Sequence, residues 1–214
     1  MTPVILLSDL YVANGAEPWR VPNVADLPVI ENSFANPEED YVIYRRDQVT
    51  LARSQAIPGQ VGLEHRIGGL EKGEDGGVSY DPDNHEEMSH LRAQKVEGIA
   101  KSFDPIKISG DQEGDLLVIG WGGTYGAISS AVKNLRDEGF SVSSIHLRHL
   151  NPLPDDLGDI LSRFKKVIVP ELNLGQLNMV LRAKYLVDII SYGKLQGKPF
   201  KVSELREKFL EYLG

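Results

Sequence analysis

A chain of 214 residues, 41% hydrophobic and 25% charged, can bury one large core or two small ones, which argues against a disordered class. Its net charge of −8 disfavours general nucleic-acid binding, since neutralising phosphates needs a basic face. The absence of cysteine excludes disulfides, thiolate-held zinc and cysteine-ligated iron–sulfur clusters on this chain and fits a cytoplasmic protein. No apolar run approaches the roughly 20 residues that span a bilayer.

Met1-Thr2-Pro3-Val4-Ile5-Leu6-Leu7-Ser8-Asp9 lacks the basic leader of a signal peptide. Val4–Ser8 reads as a buried strand, and parallel strands need neighbours, so a fragment or one piece of a split protein is expected. Pro18, Pro22, Pro28 and Pro37 then forbid long regular elements over 14–40. The glycine-rich stretch 41–80 reads as a long irregular segment, functional or draped over a partner, with a plain linker as the alternative. Asp81-Pro82-Asp83-Asn84 is a capping turn, and Met88, Leu91, Val96, Ile99 and Phe103 recur at helical spacing, predicting an amphipathic helix over 85–102.

From 111 the pattern alternates. Strands are expected at 115–120, 142–147 and 166–170. Helices are expected at 124–138 with Gly139 at its end, at 155–164, at 175–190, and finally from a Ser203 cap to about Tyr212. This order predicts an α/β fold: an open parallel sheet with helices on both faces.

Gly120-Trp121-Gly122-Gly123-Thr124-Tyr125-Gly126 sits where a strand meets a helix, but Tyr125 replaces the third glycine of a dinucleotide fingerprint and the second strand ends at Arg148 rather than an acid. Close helix packing is the favoured reading of those glycines. His146 and His149, and His85 and His90, lack a carboxylate at metal-ligand spacing, so no metal site is expected. Glu171-Leu172-Asn173-Leu174-Gly175-Gln176 puts a carboxylate, two amides and a glycine at a strand's carboxyl end, where ligands and partners of open sheets gather. Helix capping by Asn173 and a turn eased by Gly175 is the alternative. Ala52 to Gly59 with Gly62-Leu63-Glu64-His65 and Gly68-Gly69-Leu70-Glu71 is the other dense cluster. There Arg53 can pair with a carboxylate and His65 beside Glu64 can relay protons, against the reading of a plain glycine-rich surface loop.

On these residues the sequence resembles the α subunit of 2-oxoacid:ferredoxin oxidoreductases, especially the 2-oxoglutarate type. The resemblance runs in order through Leu7-Ser8-Asp9, Ala13 to Trp19, Gly62 to His65, Tyr80-Asp81-Pro82 to Lys95, Pro170 to Gln176, Arg182 to Asp188, and Gln196-Gly197-Lys198-Pro199-Phe200. It implies oxidative decarboxylation of a 2-oxoacid with coenzyme A to an acyl-CoA, with electrons passing to ferredoxin. It implies residues 1–30 as the end of a pyrimidine-side domain that binds thiamine diphosphate, 31–110 as an irregular connecting segment with one helix, and 111–214 as a transketolase C-terminal-like domain. Thiamine diphosphate and the iron–sulfur cluster are expected mainly on a partner β subunit, and the isolated chain is expected to be inactive. Arg53, Gly59, Glu64 and His65 become candidates for contact with substrate or partner, and Glu171, Asn173, Gly175 and Gln176 for an interface. The alternatives are a non-catalytic docking module and a nucleotide-binding oxidoreductase domain.

Overall fold

The computed structural model describes residues 1–18, 20–30 and 32–214; Trp19, the end of one resembling segment, and Glu31, the start of the expected connecting segment, lie outside them. The chain forms two compact units, Met1–Val4 with Pro18–Ser102, and Ile5–Glu17 with Phe103–Gly214.

The second unit is built on four parallel strands, β1 (Gly114–Trp121), β2 (Val142–Leu147), β3 (Phe164–Glu171) and β4 (Ile189–Gly193), in the order β2-β1-β3-β4. Besides a short helix α1 (Leu10–Ala13), it holds α3 (Tyr125–Asp137), α4 (Leu157–Leu161), α5 (Gln176–Tyr185) and α6 (Val202–Leu213); α2 (Pro82–Gly98) belongs to the first unit. Successive strand residues point to opposite faces, so two cores form. Leu117, Ile119, Val167, Val169 and Ile189 pack with Leu157 and Ile160 of α4 and Leu177 and Leu181 of α5. Leu116, Val118 and Ile168 pack on the other face with Ala131 and Leu135 of α3 and Leu205 and Phe209 of α6. The expected parallel sheet with helices on both faces is therefore present.

Four expectations need correction. Val4–Ser8 forms no strand: Val4, Ile5 and Leu6 are 85–90% exposed, because no described residue offers them a ladder of peptide groups. The helix expected over 175–190 ends at Tyr185, where Leu186 turns left-handed at φ +55, and Ile189–Gly193 becomes β4 beside β3. The β-branched run Ile189-Ile190 fits both periods, and pairing with β3 decides it. The helix expected over 155–164 shrinks to α4, since Phe164 onward already belongs to β3. In α6 it is Lys201, not Ser203, that occupies the cap, where Glu204 accepts its backbone N–H at 3.0 Å.

The first unit has one long helix, α2 (Pro82–Gly98), continued by a 3-10 turn to Ser102. Asp81 caps it by accepting Asp83 N–H at 2.9 Å, and Pro82 opens it where no N–H is needed. Only Met88 of α2 is buried, so its apolar stripe is weaker than the spacing suggested. The unit's other described residues form a 3-10 turn at Val24–Asp26 and loops held by isolated bridges, Phe34 with Gln55, Arg46 with Arg53, and Lys72 with Val78.

Candidate functional site

The segment after β3 is organised by Glu171, which is fully buried. Its Oε1 accepts the Trp121 indole N–H at 3.3 Å, Asn173 Nδ2 at 3.1 Å and the Leu177 N–H at 3.0 Å; its Oε2 accepts the Asn178 N–H at 3.1 Å. Asn173 Oδ1 accepts the Gly175 and Gln176 N–H groups at 2.7 and 3.2 Å. Together the two side chains satisfy the first N–H groups of α5, which a helix otherwise leaves without partners. A carboxylate there is further favoured by the helix dipole. The alternative reading of the sequence makes Asn173 the cap; Glu171 shares that role, taking the Leu177 and Asn178 N–H groups across six and seven residues, and the fold makes that reach short. Gly175 holds φ +90, and a Cβ on it would sit 2.7 Å from Ser191 Oγ. Gln176 is exposed. Thus Glu171, Asn173 and Gly175 form one framework, with Leu174 and Gln176 on its outer surface.

At the glycine turn after β1, Gly120 meets Ile128 of α3 so closely that a Cβ would come within 2.7 Å of Cδ1. That is close helix packing. An Asp9 carboxylate oxygen lies 2.6 Å from where a Gly123 Cβ would be, which sets negative charge beside the turn and opposes a phosphate there.

In the first unit Arg53 bridges antiparallel to Arg46, donates to Ile43 O at 3.3 Å and lies 4.4 Å over the Tyr44 ring. Gly59 takes φ +91 in an exposed turn. Glu64 Oε2 accepts Gly62 N–H at 2.9 Å, while His65 Nδ1 lies 2.8 Å from Leu63 O. A carbonyl only accepts, so Nδ1 carries the hydrogen and the imidazole is oriented by Leu63, not by Glu64. His65 also meets the Tyr41 ring edge-on at 5.7 Å.

Two residues that the sequence did not single out, Arg46 and Lys95, join Arg53. Met88, Arg92 and Lys95 share one face of α2 at spacings of four and three. Arg46 Nη2 reaches Met88 Sδ at 3.4 Å, while its buried Nε has no hydrogen-bond partner among the described residues. Burial, then Arg53 and Arg92, lower the pKa of Arg46; burial, then Arg53 and Arg46, lower that of Lys95. Glu71 is taken by Arg92, which donates to both its oxygens at 3.1 and 3.0 Å. Arg46, Arg53 and Lys95 thus form a cationic cluster with no carboxylate bound to it among the described residues. Only the separation of 46 and 53 by a turn signals this, and the sequence does not show which residues pair across it. Among the described residues there is also no His, Asp and Glu grouping fit to hold a metal ion.

Residues 114–205 match the model of pyruvate:ferredoxin oxidoreductase core domain II. The chain is 52% identical, over 95% of its length, to the 2-oxoglutarate oxidoreductase subunit KorA of Mycobacterium tuberculosis, covering 31% of that protein. It is 30% identical over 98% of its length to the α subunit of a 2-oxoacid:ferredoxin oxidoreductase of Aeropyrum pernix, covering 34% of it. The chain therefore spans about a third of the length of these curated relatives. Its fold superposes with TM-score 0.84 and 30% identity on a 2-oxoglutarate:ferredoxin oxidoreductase from Magnetococcus marinus, solved with 2-oxoglutarate, coenzyme A and succinyl-CoA bound, over 90% of this chain and 34% of that one. Likeness over almost the whole length, in sequence and in fold together, goes beyond a shared sheet architecture, and on it the chain belongs to the 2-oxoacid:ferredoxin oxidoreductase family, corresponding to part of the α subunit.

Proposed function

We propose that this chain is part of the α subunit of a thiamine-diphosphate-dependent 2-oxoacid:ferredoxin oxidoreductase of the 2-oxoglutarate type. The enzyme would convert a 2-oxoacid and coenzyme A to acyl-CoA and carbon dioxide, passing two electrons to ferredoxin in the cytoplasm. The observation that carries this reading is the 52% identity to a 2-oxoglutarate oxidoreductase subunit across 95% of the chain. Residues 1–30 would close the pyrimidine-side domain, 31–110 would connect, and 111–214 would form the transketolase C-terminal-like domain. When bound, thiamine diphosphate supplies the carbanion chemistry at the 2-oxo carbon. With no cysteine here, an iron–sulfur cluster would take its thiolates from a partner β subunit.

This chain's own part is electrostatic and architectural. Arg53, steadied by Tyr44 and by Ile43 O, keeps N–H groups for an oxoacid carboxylate. Arg46 and Lys95 beside it raise the local positive potential, and desolvation strengthens their pull on an anion. Gly59, Glu64 and His65 belong to the same unit and shape the neighbouring loop, with His65 Nε2 left as an acceptor in its neutral form. Glu171, Asn173 and Gly175 build the sheet edge that presents Leu174 and Gln176 to the β subunit.

In the complete enzyme, Arg53→Ala should raise the Michaelis constant for the oxoacid by about tenfold or more, the worth of one charge-assisted pair. An unchanged constant removes Arg53 from the substrate site. Mixing with the β subunit and following co-elution tests the assembly separately; a chain that ignores the β subunit is not its partner.

A further inference from the structure

The free edge of β2 is covered by residues 103–109, joined to it at the two ends only. Ser109 and Ser144 exchange both peptide hydrogen bonds, at 2.8 and 2.9 Å, as an antiparallel bridge. At the other end Phe103 stacks on His149, with ring centroids 3.8 Å apart and planes 9° apart. The ladder does not continue between these points. Continuing it would oppose Lys107 to His146 and Pro105 to Arg148, yet Pro105 has no N–H to give, and Ile106 N–H is drawn to Asp156 Oδ2 at 2.8 Å. The two segments splay, and a cavity of about 620 Å³ opens between them. That volume is in the range of small-molecule sites.

Because Ser144 turns its peptide groups outward, the His146 peptide, two residues on, faces the same edge and has no bond to Lys107. The His146 ring packs edge-on against Tyr125 at 5.1 Å, and its nitrogens have no partner among the described residues. Lys107 and Arg148, also on the lining, are exposed and make no ion pair among the described residues; the acids nearby are Asp104 on the lining and Asp156, whose Oδ2 is occupied by the Ile106 N–H. On a chain of net charge −8 this sets two cations without ion pairs beside the open His146 peptide. Ile106, Ile128 and Pro154 give the same cavity an apolar wall.

We infer that this cavity is a binding site for a small organic oxyanion, a carboxylate or phosphate ester, held by Lys107, Arg148 and the His146 N–H groups with its apolar body against Ile106 and Pro154. Both anion types offer the same paired oxygens to these donors. Burial, and then the charge of Arg148, lower the pKa of His146, which favours the neutral imidazole; it can donate one hydrogen bond at neutral pH.

The test is titration of the isotope-labelled full chain with phenyl phosphate, benzoate, inorganic phosphate and the cation benzamidine, followed by histidine and tyrosine ring resonances. Saturable shifts confined to His146, His149 and Tyr125 with phenyl phosphate or benzoate are expected, and the stronger of the two identifies the anion. Inorganic phosphate should bind more weakly than phenyl phosphate, since it leaves the apolar wall uncovered. The double variant Lys107→Gln with Arg148→Gln should weaken binding about tenfold or more. Both side chains are exposed, so the fold should survive, and Ser129→Phe, which fills the cavity without touching charge, gives an independent loss of binding. No saturable binding, preference for benzamidine, or affinity untouched by both variants would overturn the site.

Discussion

The Trp121 indole N–H donates to the Glu171 Oε1 at 3.3 Å, joining the carboxyl ends of β1 and β3, fifty residues apart. The same oxygen holds the Leu177 N–H of α5 at 3.0 Å, so one buried carboxylate ties two strands to a helix start. Glu171→Ala would leave an indole, the Asn173 side-chain amide and two backbone N–H groups without acceptors, at about 3 kcal/mol or more. Glu171→Gln keeps one acceptor oxygen and should cost less. Denaturant unfolding of both variants checks the order, and a red shift in tryptophan emission should accompany the alanine.

Gly175 combines φ +90 with a Cβ position 2.7 Å from Ser191 Oγ. Gly175→Ala therefore carries both backbone strain and a clash, and about 1–3 kcal/mol is expected. Adding Ser191→Ala should recover only the clash. A double-mutant cycle showing complete recovery would mean that the backbone carries no strain.

Leu186 is left-handed at φ +55 and 89% exposed at the end of α5. Glycine takes that conformation without steric penalty, and little apolar burial is lost. Leu186→Gly should stabilise the protein by about 0.5–1 kcal/mol, read as a higher denaturation midpoint. An equal or lower midpoint argues against the cap geometry.

Glu71 is gripped by Arg92 and by His85 Nδ1 at 3.0 Å, and the Arg92 hydrogen bonds foremost bring its pKa from 4.5 to about 2. A folded value below the unfolded one means stability that is fully present above 4.5 and lost as pH falls through about 2. Unfolding midpoints measured from about pH 5 to about pH 2 should decline more steeply in the native protein than in Glu71→Gln. Parallel curves would show that the ion pair does not couple to folding.

The alternation of strand and helix after residue 111, the Asp81-Pro82 helix start and the turn at Gly139 were legible because each rests on local chemistry: periodicity, a missing N–H, a positive φ. The second half of the expected 175–190 helix was not, since Ile189 and Ile190 satisfy both periods and only the edge of β3 selects the strand. Of the candidate cluster, the sequence placed Glu171, Asn173 and Gly175 at one strand end. It could not show that Glu171 lies buried beneath Trp121 and caps α5, because that depends on two strands adjacent in space and fifty residues apart in sequence.

By itself, then, the sequence determined the alternating α/β order, the absence of thiolate chemistry and the segments that carry the family likeness, all properties of neighbouring residues or of composition. Tertiary structure alone decided that Arg46 and Lys95 join Arg53, that β4 exists, and that the cover over β2 parts into a cavity. Charges, ladders and voids of that kind arise between segments distant in the chain, where pairing and burial set the energy and local spacing leaves no trace.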